Sequence, residues 1–477
     1  MKKYTTSLLK SLALFILFLP ASLFAQQVEL GISKISSFVH SEAFTADGEK
    51  IKCQGKLKKG LFQGKWKCYY SDGTLFSETN WDRDQVTGQR IIYFKNGRIK
   101  EITNWKEGKR NGKAEVWFEN GVKQSESFFK NDSLDGPATV WYRNGKKACS
   151  LSYENGAATA FFEEFYENGN DKTSCFYVKG AIFGALKQWY ENGTLKAVYN
   201  YENGMLQGVS ANYFRNGKVK ETSEHKNNKL DGVTTQWDSL GIKLEEDIYR
   251  DGLLLKRSLF YKNGNKFLEA PFVDGLENGI ETKWAPTGEI VLIAMYKNGK
   301  KEGKLQEFYQ SGKIASLAVY KNGLPDSVET KWFENGNIQS RIYYKEGKHA
   351  GSSITWYENG QKHTEGNYDS NGVPVGKTYS WSRDGQLVFE AQFSNGKMEG
   401  PVKFWHENGK KQSESNYKNG KLEGPFTSWY DTGKKESEGK YTDGKKTGVF
   451  LYYTKDGKPA KKILYENDKE IKTEEIK

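Results

Sequence analysis

Histidine, cysteine and acidic side chains are the residues that could supply catalysis, metal binding or a cross-link in this chain. The 477 residues include only five histidines and four cysteines. No G-x-S-x-G, H-E-x-x-H or Walker loop is present, and acid pairs such as Asp82 and Asp84 are most simply turn residues. The pattern predicts no enzyme, no metal site and no cofactor. The histidines, which share no motif, are His40, His225, His349, His363 and His406.

Two of the cysteines are candidates for a disulfide. Cys53 lies five residues after one turn glycine, and Cys68 lies five residues before the next. The strands that carry them are joined by a single turn, so the two side chains can face each other. Cys149 and Cys175 fall on strands with one strand between them. At about 4.8 Å per strand, we expect them to lie too far apart to bridge.

The elements that must position these side chains repeat along the sequence. A turn glycine recurs from Gly48 to Gly457, nearly always at steps of 24 residues, and an aromatic residue stands four residues before each one. A second aromatic column follows eight residues after the glycine and is broken only by His225. Because the two columns are 12 residues apart, the structural unit is a half-repeat of about 12 residues.

Asn-Gly pairs mark the turns at both ends of the repeat, as at Asn144-Gly145 and Asn203-Gly204. They predict type I′ hairpin turns, because that turn needs positive φ at both central residues. Turns 12 residues apart leave strands of about 6–8 residues. Parallel crossovers would need longer connections. We therefore predict an all-β fold, an elongated single-layer antiparallel β-meander.

A further glycine follows most second turns by four residues, as at Gly184 and Gly424. It predicts positive φ or a close approach of backbone at the entry to the strand. Ala160 replaces this glycine in the repeat around Gly156, which is therefore a candidate irregularity of the sheet or a specialised contact point.

The N-terminus has the layout of a secretory signal peptide. Lys2 and Lys3 precede an apolar run, and the small residue Ala25 follows it. We expect cleavage after Ala25; the alternative is a membrane anchor, although the run is shorter than the roughly 20 residues that span a bilayer. No later stretch predicts a transmembrane span. The chain then divides into a signal peptide, a linker or lead-in strand, a repeat array and a charged tail: residues 1–25, 26–40, 41–466 and 467–477.

The charge and the aromatic columns each allow two interpretations. A formal charge of +12, spread along the chain, fits either a solvated face or binding to an anionic envelope surface. Glutamates five residues after the turn glycine fit cross-strand charge pairing, or an acidic stripe that binds a cation or a basic partner. The rings either pack as a ladder along the sheet or form an exposed platform for sugars, lipids or a protein. The candidate platform residues are Trp117, Trp141, Trp189, Trp332, Trp356, Trp405 and Trp429.

The pattern Trp-Tyr-Glu-Asn-Gly-x-x-Lys, followed by Tyr-Lys-Asn-Gly-Lys-x-x-Gly, resembles the MORN repeat in its bacterial variant form, as in the YwqK-family antitoxin group. The resemblance covers roughly residues 41–466. It implies a solenoid of stacked β-hairpins built from 24-residue repeats. It also implies protein-interaction or membrane-associated roles, and an antitoxin role for the bacterial variant.

We expect an exported, non-enzymatic scaffold that mediates protein–protein interaction at the bacterial cell envelope, in the periplasm, on the cell surface or after secretion. The alternatives are a glycan- or envelope-surface-binding module and a toxin-neutralising antitoxin or immunity protein. We expect a protein partner and no nucleic acid. Small-angle scattering is expected to give an elongated particle, on the order of 160 Å long at about 4.8 Å per strand.

Overall fold

The computed structural model describes residues 38–44 and 48–476 of the chain. The predicted signal peptide and most of the predicted linker lie outside the described residues. The described residues form strands and turns, and they include no helix long and apolar enough to cross a membrane. The chain forms two compact units, the first ending at Lys229 and the second beginning at Leu230.

The first unit contains strands β1 to β19. Their bounds are β1 Phe38–Phe44, β2 Lys50–Lys58, β3 Leu61–Tyr69, β4 Leu75–Asp82, β5 Gln85–Val86, β6 Gly88–Tyr93, β7 Ile99–Lys106, β8 Lys109–Trp117, β9 Lys123–Lys130, β10 Ser133–Leu134, β11 Gly136–Trp141, β12 Lys147–Glu154, β13 Ala157–Phe165, β14 Asp171–Val178, β15 Ala181–Trp189, β16 Leu195–Glu202, β17 Met205–Leu206, β18 Gly208–Tyr213 and β19 Val219–Lys226.

The second unit contains strands β20 to β43, of which β20 starts one residue before the boundary. Their bounds are β20 Lys229–Trp237, β21 Lys243–Arg250, β22 Leu253–Phe260, β23 Lys266–Val273, β24 Leu276–Glu277, β25 Gly279–Trp284, β26 Ile290–Lys297, β27 Lys300–Phe308, β28 Ile314–Lys321, β29 Leu324–Pro325, β30 Val328–Trp332, β31 Ile338–Lys345, β32 Lys348–Trp356, β33 Lys362–Tyr368, β34 Pro374–Trp381, β35 Leu387–Ser394, β36 Lys397–Met398, β37 Gly400–Trp405, β38 Lys411–Lys418, β39 Lys421–Trp429, β40 Lys435–Thr442, β41 Lys445–Tyr453, β42 Pro459–Glu466 and β43 Lys469–Glu475.

Within each unit, long strands pair antiparallel with the long strand that follows, as β8 does with β9 and β38 with β39. Short strands such as β5 are pieces of a longer strand that a bulge divides, since β4 pairs with both β5 and β6. The prediction of an all-β antiparallel meander is confirmed. The charged tail supplies the last strand, β43, whose seven side chains are all exposed. Charged side chains on a strand discourage edge-to-edge pairing.

The two turns of a repeat differ in conformation, so the prediction of type I′ turns at both ends was wrong at one of them. At Asn203-Gly204 both residues have positive φ, 50° and 77°, as type I′ requires. At Asn144-Gly145 only the glycine has positive φ. The Gly145 N–H donates to the carbonyl of Tyr142 at 2.9 Å, a pattern that fits a type I turn followed by a left-handed glycine and a bulge.

In the type I turns, the asparagine acts through the hydrogen bonds of its side chain. Asn144 Oδ1 accepts a hydrogen bond from the Lys146 N–H at 2.9 Å, which holds the turn. Its Nδ2 donates to the carbonyl of Glu167, one repeat further on, at 3.2 Å. The same inter-repeat hydrogen bond is made by Asn120, Asn168, Asn263, Asn335, Asn359 and Asn408.

Alternation along the strands gives each unit's sheet two different faces. One face, which we call the central-row face, has buried and mostly small or apolar residues along its middle, such as Ala114 opposite Ser127 and Leu305 opposite Ala318. The other face carries the first aromatic column, including Trp117, and we call it the ring face. Side chains of the second aromatic column lie on the central-row face and flank its middle row.

Ala160 has a left-handed backbone, with φ of 64°, at the position that glycine fills in most repeats. A left-handed conformation costs a residue with a Cβ about 1–2 kcal/mol. Glycine would relieve this strain, but its larger conformational entropy in the unfolded state offsets part of the relief. We expect Ala160→Gly to raise the free energy of unfolding by roughly 0.5–1 kcal/mol.

Gly184, one repeat later, is the matched control. It has φ of 75°, and an added Cβ would meet no atom within 4 Å. Gly184→Ala should therefore lower the free energy of unfolding by a similar amount through backbone strain alone. Urea unfolding measures both variants, and a destabilised Ala160→Gly protein would contradict the account.

Candidate functional site

The first aromatic column forms a continuous row on the ring face of each unit. Every member from Tyr69 to Tyr453 is half-buried, so each ring packs on one side and retains some exposure on the other. This holds for all seven tryptophans predicted as a binding platform: Trp117, Trp141, Trp189, Trp332, Trp356, Trp405 and Trp429. The row therefore has the geometry that both interpretations, packing ladder and platform, require.

Lysines lie over several of these rings. The Nζ of Lys123 is 6.0 Å from the ring centroid of Trp117 and 5.7 Å from that of Trp141, in the next repeat. Lys411 is placed in the same way, 5.5 Å from Trp429. A cation over an indole contributes about 0.5–1 kcal/mol at an exposed site. These three tryptophans are thus partly covered by the protein's own side chains.

The covering lysines also form ion pairs. Lys123 Nζ lies 2.7 Å from a carboxylate oxygen of Glu126 and 2.7 Å from one of Glu115. Burial raises the pKa of Glu115, but hydrogen bonds from Lys123 and Lys113 outweigh it, so the pKa stays below its ordinary value. Exposed pairs of this kind contribute at most about 1 kcal/mol each. The arrangement neutralises the charge of this face locally.

All eight glutamates of the predicted stripe pair with lysine, which favours charge pairing over a free acidic stripe. Four of them pair across strands, as expected: Glu78 with Lys65 and Lys67, Glu126 with Lys113, Glu269 with Lys256 and Glu390 with Lys377. Six further pairs join residues three apart on one strand, which the cross-strand expectation did not include. They are Lys123–Glu126, Lys243–Glu246, Lys266–Glu269, Lys362–Glu365, Lys411–Glu414 and Lys435–Glu438.

The bulge after each type I turn explains why residues three apart meet. In β9, Lys123 is opposite Trp117 while Ser125 is opposite Val116, so Gln124 is an extra residue without a partner. This extra residue shifts the alternation by one. Lys123 and Glu126 therefore point to the same face, although an unbroken strand would place them on opposite faces.

A row of tyrosines immediately after the first aromatic column joins neighbouring repeats, and our sequence reasoning missed it. The hydroxyl of Tyr142 donates to the carbonyl of Phe165 at 2.7 Å, and that of Tyr166 to the carbonyl of Trp189 at 2.9 Å. The recurring Trp-Tyr dipeptides were the available signal. The same bond is made by Tyr70, Tyr190, Tyr261, Tyr309, Tyr357 and Tyr430.

We expect Tyr309→Phe to lower the free energy of unfolding by about 1 kcal/mol, because it removes one such hydrogen bond, 2.6 Å long, to the Trp332 carbonyl. Phe333 holds the equivalent position one repeat later. Phe333→Tyr adds the missing hydroxyl and should stabilise the protein by up to a similar amount. Guanidinium unfolding curves test the pair; equal stability of all three proteins would show that this row contributes nothing.

Cys53 and Cys68 lie opposite each other on β2 and β3 and are joined by a disulfide. They belong to a buried cluster with Ile51, Trp66 and Tyr70. The disulfide thus links the two hairpin strands inside the first packed cluster of the described chain.

Cys149 and Cys175 are unpaired, and strand β13 separates their strands. Burial raises the pKa of both thiols to about 12. Both are therefore protonated near neutral pH and poor nucleophiles, because the thiolate is the reactive form.

Three of the histidines serve the repeat structure. His225 is buried in the second aromatic column, and His349 lies between Tyr344 and Tyr368, with ring centroids 4.9 and 5.2 Å away. The Nε2 of His406 is 2.8 Å from the carbonyl of Trp429, which is the contact that a hydroxyl of the tyrosine row makes in other repeats. The side chain of His40 lies outside the described residues. Among those described, no three His, Cys, Asp or Glu side chains come together as metal ligands would.

The most buried acidic group, Asp247, belongs to a closed polar network. Arg257 donates two hydrogen bonds to its carboxylate, at 3.1 and 2.7 Å, and the Tyr249 hydroxyl donates a third at 3.1 Å. Glu245 pairs with the same guanidinium at 2.8 Å. Because each of its charges has a partner, the network stabilises this part of the central-row face, and none of its groups is a free acid or base.

Eight segments of the chain match the family described as MORN repeat variant: residues 62–83, 110–131, 184–203, 301–322, 325–346, 398–419, 422–443 and 446–467. Most begin in one long strand, cross the type I turn and end in the type I′ turn after the next strand, as 110–131 does through β8 and β9. No curated protein matches the chain.

Among solved structures, the one titled "Crystal Structure of TcdB2-TccC3-TEV" is similar at 10% sequence identity. The match covers 89% of this chain and 27% of that chain, with a TM-score of 0.14. A similarity this weak supports no conclusion about fold or function.

Proposed function

We propose that this protein is an exported, non-enzymatic repeat scaffold that binds protein partners at the bacterial cell envelope. The matches to the MORN repeat variant support a scaffold, since such repeats are commonly protein- or membrane-binding. The Lys2/Lys3 start and the apolar run before Ala25 support export. A long repeated surface is the feature that repeat proteins use for binding.

The main observation that supports protein binding is the repeated composition of the ring face. Half-buried rings recur about every 24 residues, and lysine–glutamate pairs that neutralise each other stand between many of them. Such a face presents aromatic and polar groups in a fixed geometry without a strong net field. Aromatic residues surrounded by satisfied polar groups are typical of protein interfaces.

The test of export is the N-terminus of the full-length chain expressed in a bacterial host. Sequencing of protein recovered from the envelope or medium should begin at Gln26. The matched control lacks residues 2–25 and should stay with the cytosolic fraction. Intact Met1 on the recovered protein would contradict cleavage.

The test of binding is lysine cross-linking of the exported protein in cells, read by mass spectrometry. We expect cross-links from ring-face lysines, such as Lys123 and Lys411, to a small and reproducible set of envelope proteins. The cytosolic control should yield none of these links. A cross-link pattern that is the same for the exported and the cytosolic chain would overturn the scaffold proposal.

A further inference from the structure

The ring face of the second unit changes character over a defined interval. The middle row of this face consists of one residue from each strand, and each of these residues is opposite the one on the next strand. The row has an acidic residue at Glu269 and again at Glu365. The six strands β25, β26, β27, β28, β30 and β31 carry no acid in this row. Their residues are, in order, Thr282, Ile293, Gln306, Leu317, Thr330 and Arg341.

Over the same interval the lysine cover stops after Trp284, whose ring centroid lies 5.3 Å from the Nζ of Lys266. Two residues after the turn glycine, where Lys266 and Lys362 stand in the flanking repeats, three consecutive repeats have isoleucine. Each isoleucine is opposite an aromatic residue in the register. The pairs are Trp284–Ile290, Phe308–Ile314 and Trp332–Ile338. The ion-paired lysines of the neighbouring repeats are thus replaced by apolar side chains.

A third row on the same face is mainly apolar and exposed, with Lys304 opposite Val319 in its middle. Ile280 and Met295 are opposite each other and are 53% and 45% exposed; Val328 and Tyr343 form the equivalent pair further on, at 38% and 41%. An exposed apolar patch of contiguous residues marks an interaction site more often than scattered apolar residues do. We call the three rows over these six strands the apolar patch.

The charges of the apolar patch have one sign. Its only charged residues are Lys304 and Arg341, which are exposed and form no ion pair with any described residue. Of the acids on the same strands, Glu281 and Glu329 lie on the central-row face, 3.2 and 3.5 Å from Lys283 and Lys331 respectively. Glu307 alternates to that face as well, and Glu302 accepts a hydrogen bond from the Asn322 N–H at 2.8 Å. The patch therefore offers two free cations within an apolar surface.

The size of the patch suits a short segment. Six strands at about 4.8 Å cover roughly 24 Å along the sheet, and three rows of side chains cover roughly 14 Å along the strands. The resulting area, on the order of 300 Å², is well below the roughly 800 Å² per partner of a standard interface between folded proteins.

We propose that the apolar patch binds a short extended segment of a partner protein that presents apolar side chains together with carboxylates for Lys304 and Arg341. This inference rests on the scaffold function and names the chemistry of the partner. The isoleucines and the exposed Ile280–Met295 pair contact the apolar side chains. The two cations set the register of the segment and reject basic sequences, since a like charge opposite them is repelled.

Charge also argues against two other occupants. A second copy docked on the same patch would bring only cations to meet Lys304 and Arg341. An anionic membrane surface is held by clusters of about four to eight basic residues, and the patch has two. An acidic protein segment is the occupant that matches both the sign and the number of charges.

The test uses a displayed library of random 12-residue peptides, selected on the full-length chain. Enriched peptides should combine Asp or Glu with large apolar residues. Synthetic copies should bind Lys304→Glu/Arg341→Glu at least tenfold more weakly, and binding should weaken as salt rises. Ile280→Asn/Met295→Asn should weaken binding without changing its salt dependence.

Lys187→Glu/Lys226→Glu is the matched control, since it makes the same charge change at exposed positions of the first unit. It should bind the peptides like the unaltered chain, and thermal melts should show every variant folded. Three results would overturn the proposal: no enrichment of acidic apolar peptides, equal binding to Lys304→Glu/Arg341→Glu, or association of the chain with itself or with phosphatidylglycerol vesicles that this variant abolishes.

The two proposals fail separately. Enriched peptides that bind the Lys304→Glu/Arg341→Glu variant unchanged would remove the apolar patch as their site and leave the scaffold proposal intact. Acidic peptides that require the two cations, together with an in-cell cross-link pattern that does not depend on export, would retain the site and remove the envelope scaffold.

Discussion

Replacing Phe450 with alanine is expected to lower the free energy of unfolding by about 3–5 kcal/mol, the usual cost of truncating a buried aromatic side chain. Phe450 is 1% exposed. Tyr441 and Tyr465 pack edge-on against its ring with centroids 5.5 and 5.3 Å away, and the Lys446 ammonium lies 5.1 Å from it. The loss should deprotect β39 to β42 in hydrogen exchange and leave β25 to β28 protected, because each repeat of such an array contacts only the neighbouring repeats.

Gly439 on β40 lies directly against the Phe450 ring and makes this prediction specific. An added Cβ at Gly439 would lie 2.5 Å from the Phe450 ring, which is closer than real Cβ contacts. Its φ is not left-handed, so the cost of Gly439→Ala comes from this clash alone. The double variant Gly439→Ala/Phe450→Ala should cost less than the sum of the two single changes, because the shortened side chain makes room. Strict additivity would mean that the ring does not pack on this glycine.

Loss of the Cys53–Cys68 disulfide is expected to destabilise the first hairpins by about 3 kcal/mol, the chain-entropy value for a closed loop of about 15 residues. The two cysteines are 15 residues apart. In Cys53→Ala/Cys68→Ala, β2 and β3 should exchange amide protons faster and become the first proteolysis sites of the first unit. Guanidinium unfolding and limited proteolysis measure the change.

The reductant dithiothreitol provides the control for the disulfide. It should lower the stability of the unaltered protein to that of Cys53→Ala/Cys68→Ala and should have no effect on the variant. Cys149 and Cys175 remain in both proteins, so any effect of oxidation at those thiols cancels. A reductant effect of equal size on both proteins would place the sensitivity elsewhere.

The turns show where sequence reasoning went wrong on a matter of conformation. Asn144-Gly145 and Asn203-Gly204 have the same two residue types, yet only the second is a type I′ turn. Local propensity could not separate them, since asparagine suits both a left-handed backbone and a side chain that accepts from the residue two positions on. The inter-repeat bond from Asn144 to the Glu167 carbonyl decides the first case, and that contact spans 23 residues.

The candidate site was likewise predictable only in part from the sequence. The column of rings was visible from spacing alone, and within each unit the candidate tryptophans do lie on the ring face. Neither the cover of Lys123 over Trp141 nor the hydroxyl bonds of the tyrosine row was predicted. Each of these contacts joins side chains of neighbouring repeats, whose distance depends on how the hairpins stack.

By itself, the sequence determined the antiparallel meander, the length of its strands and the positions of its turns, because glycine and aromatic residues recur at a spacing that only short paired strands accommodate. Only the tertiary structure decided which side chains share a face. The extra residue at each bulge, such as Gln124, shifts the alternation by one. That shift brings Lys123 to Glu126, and in the second unit it aligns Ile290, Ile314 and Ile338 with the rings. The sequence could not show this, because the alternation of side chains along a strand does not reveal where a bulge reverses it.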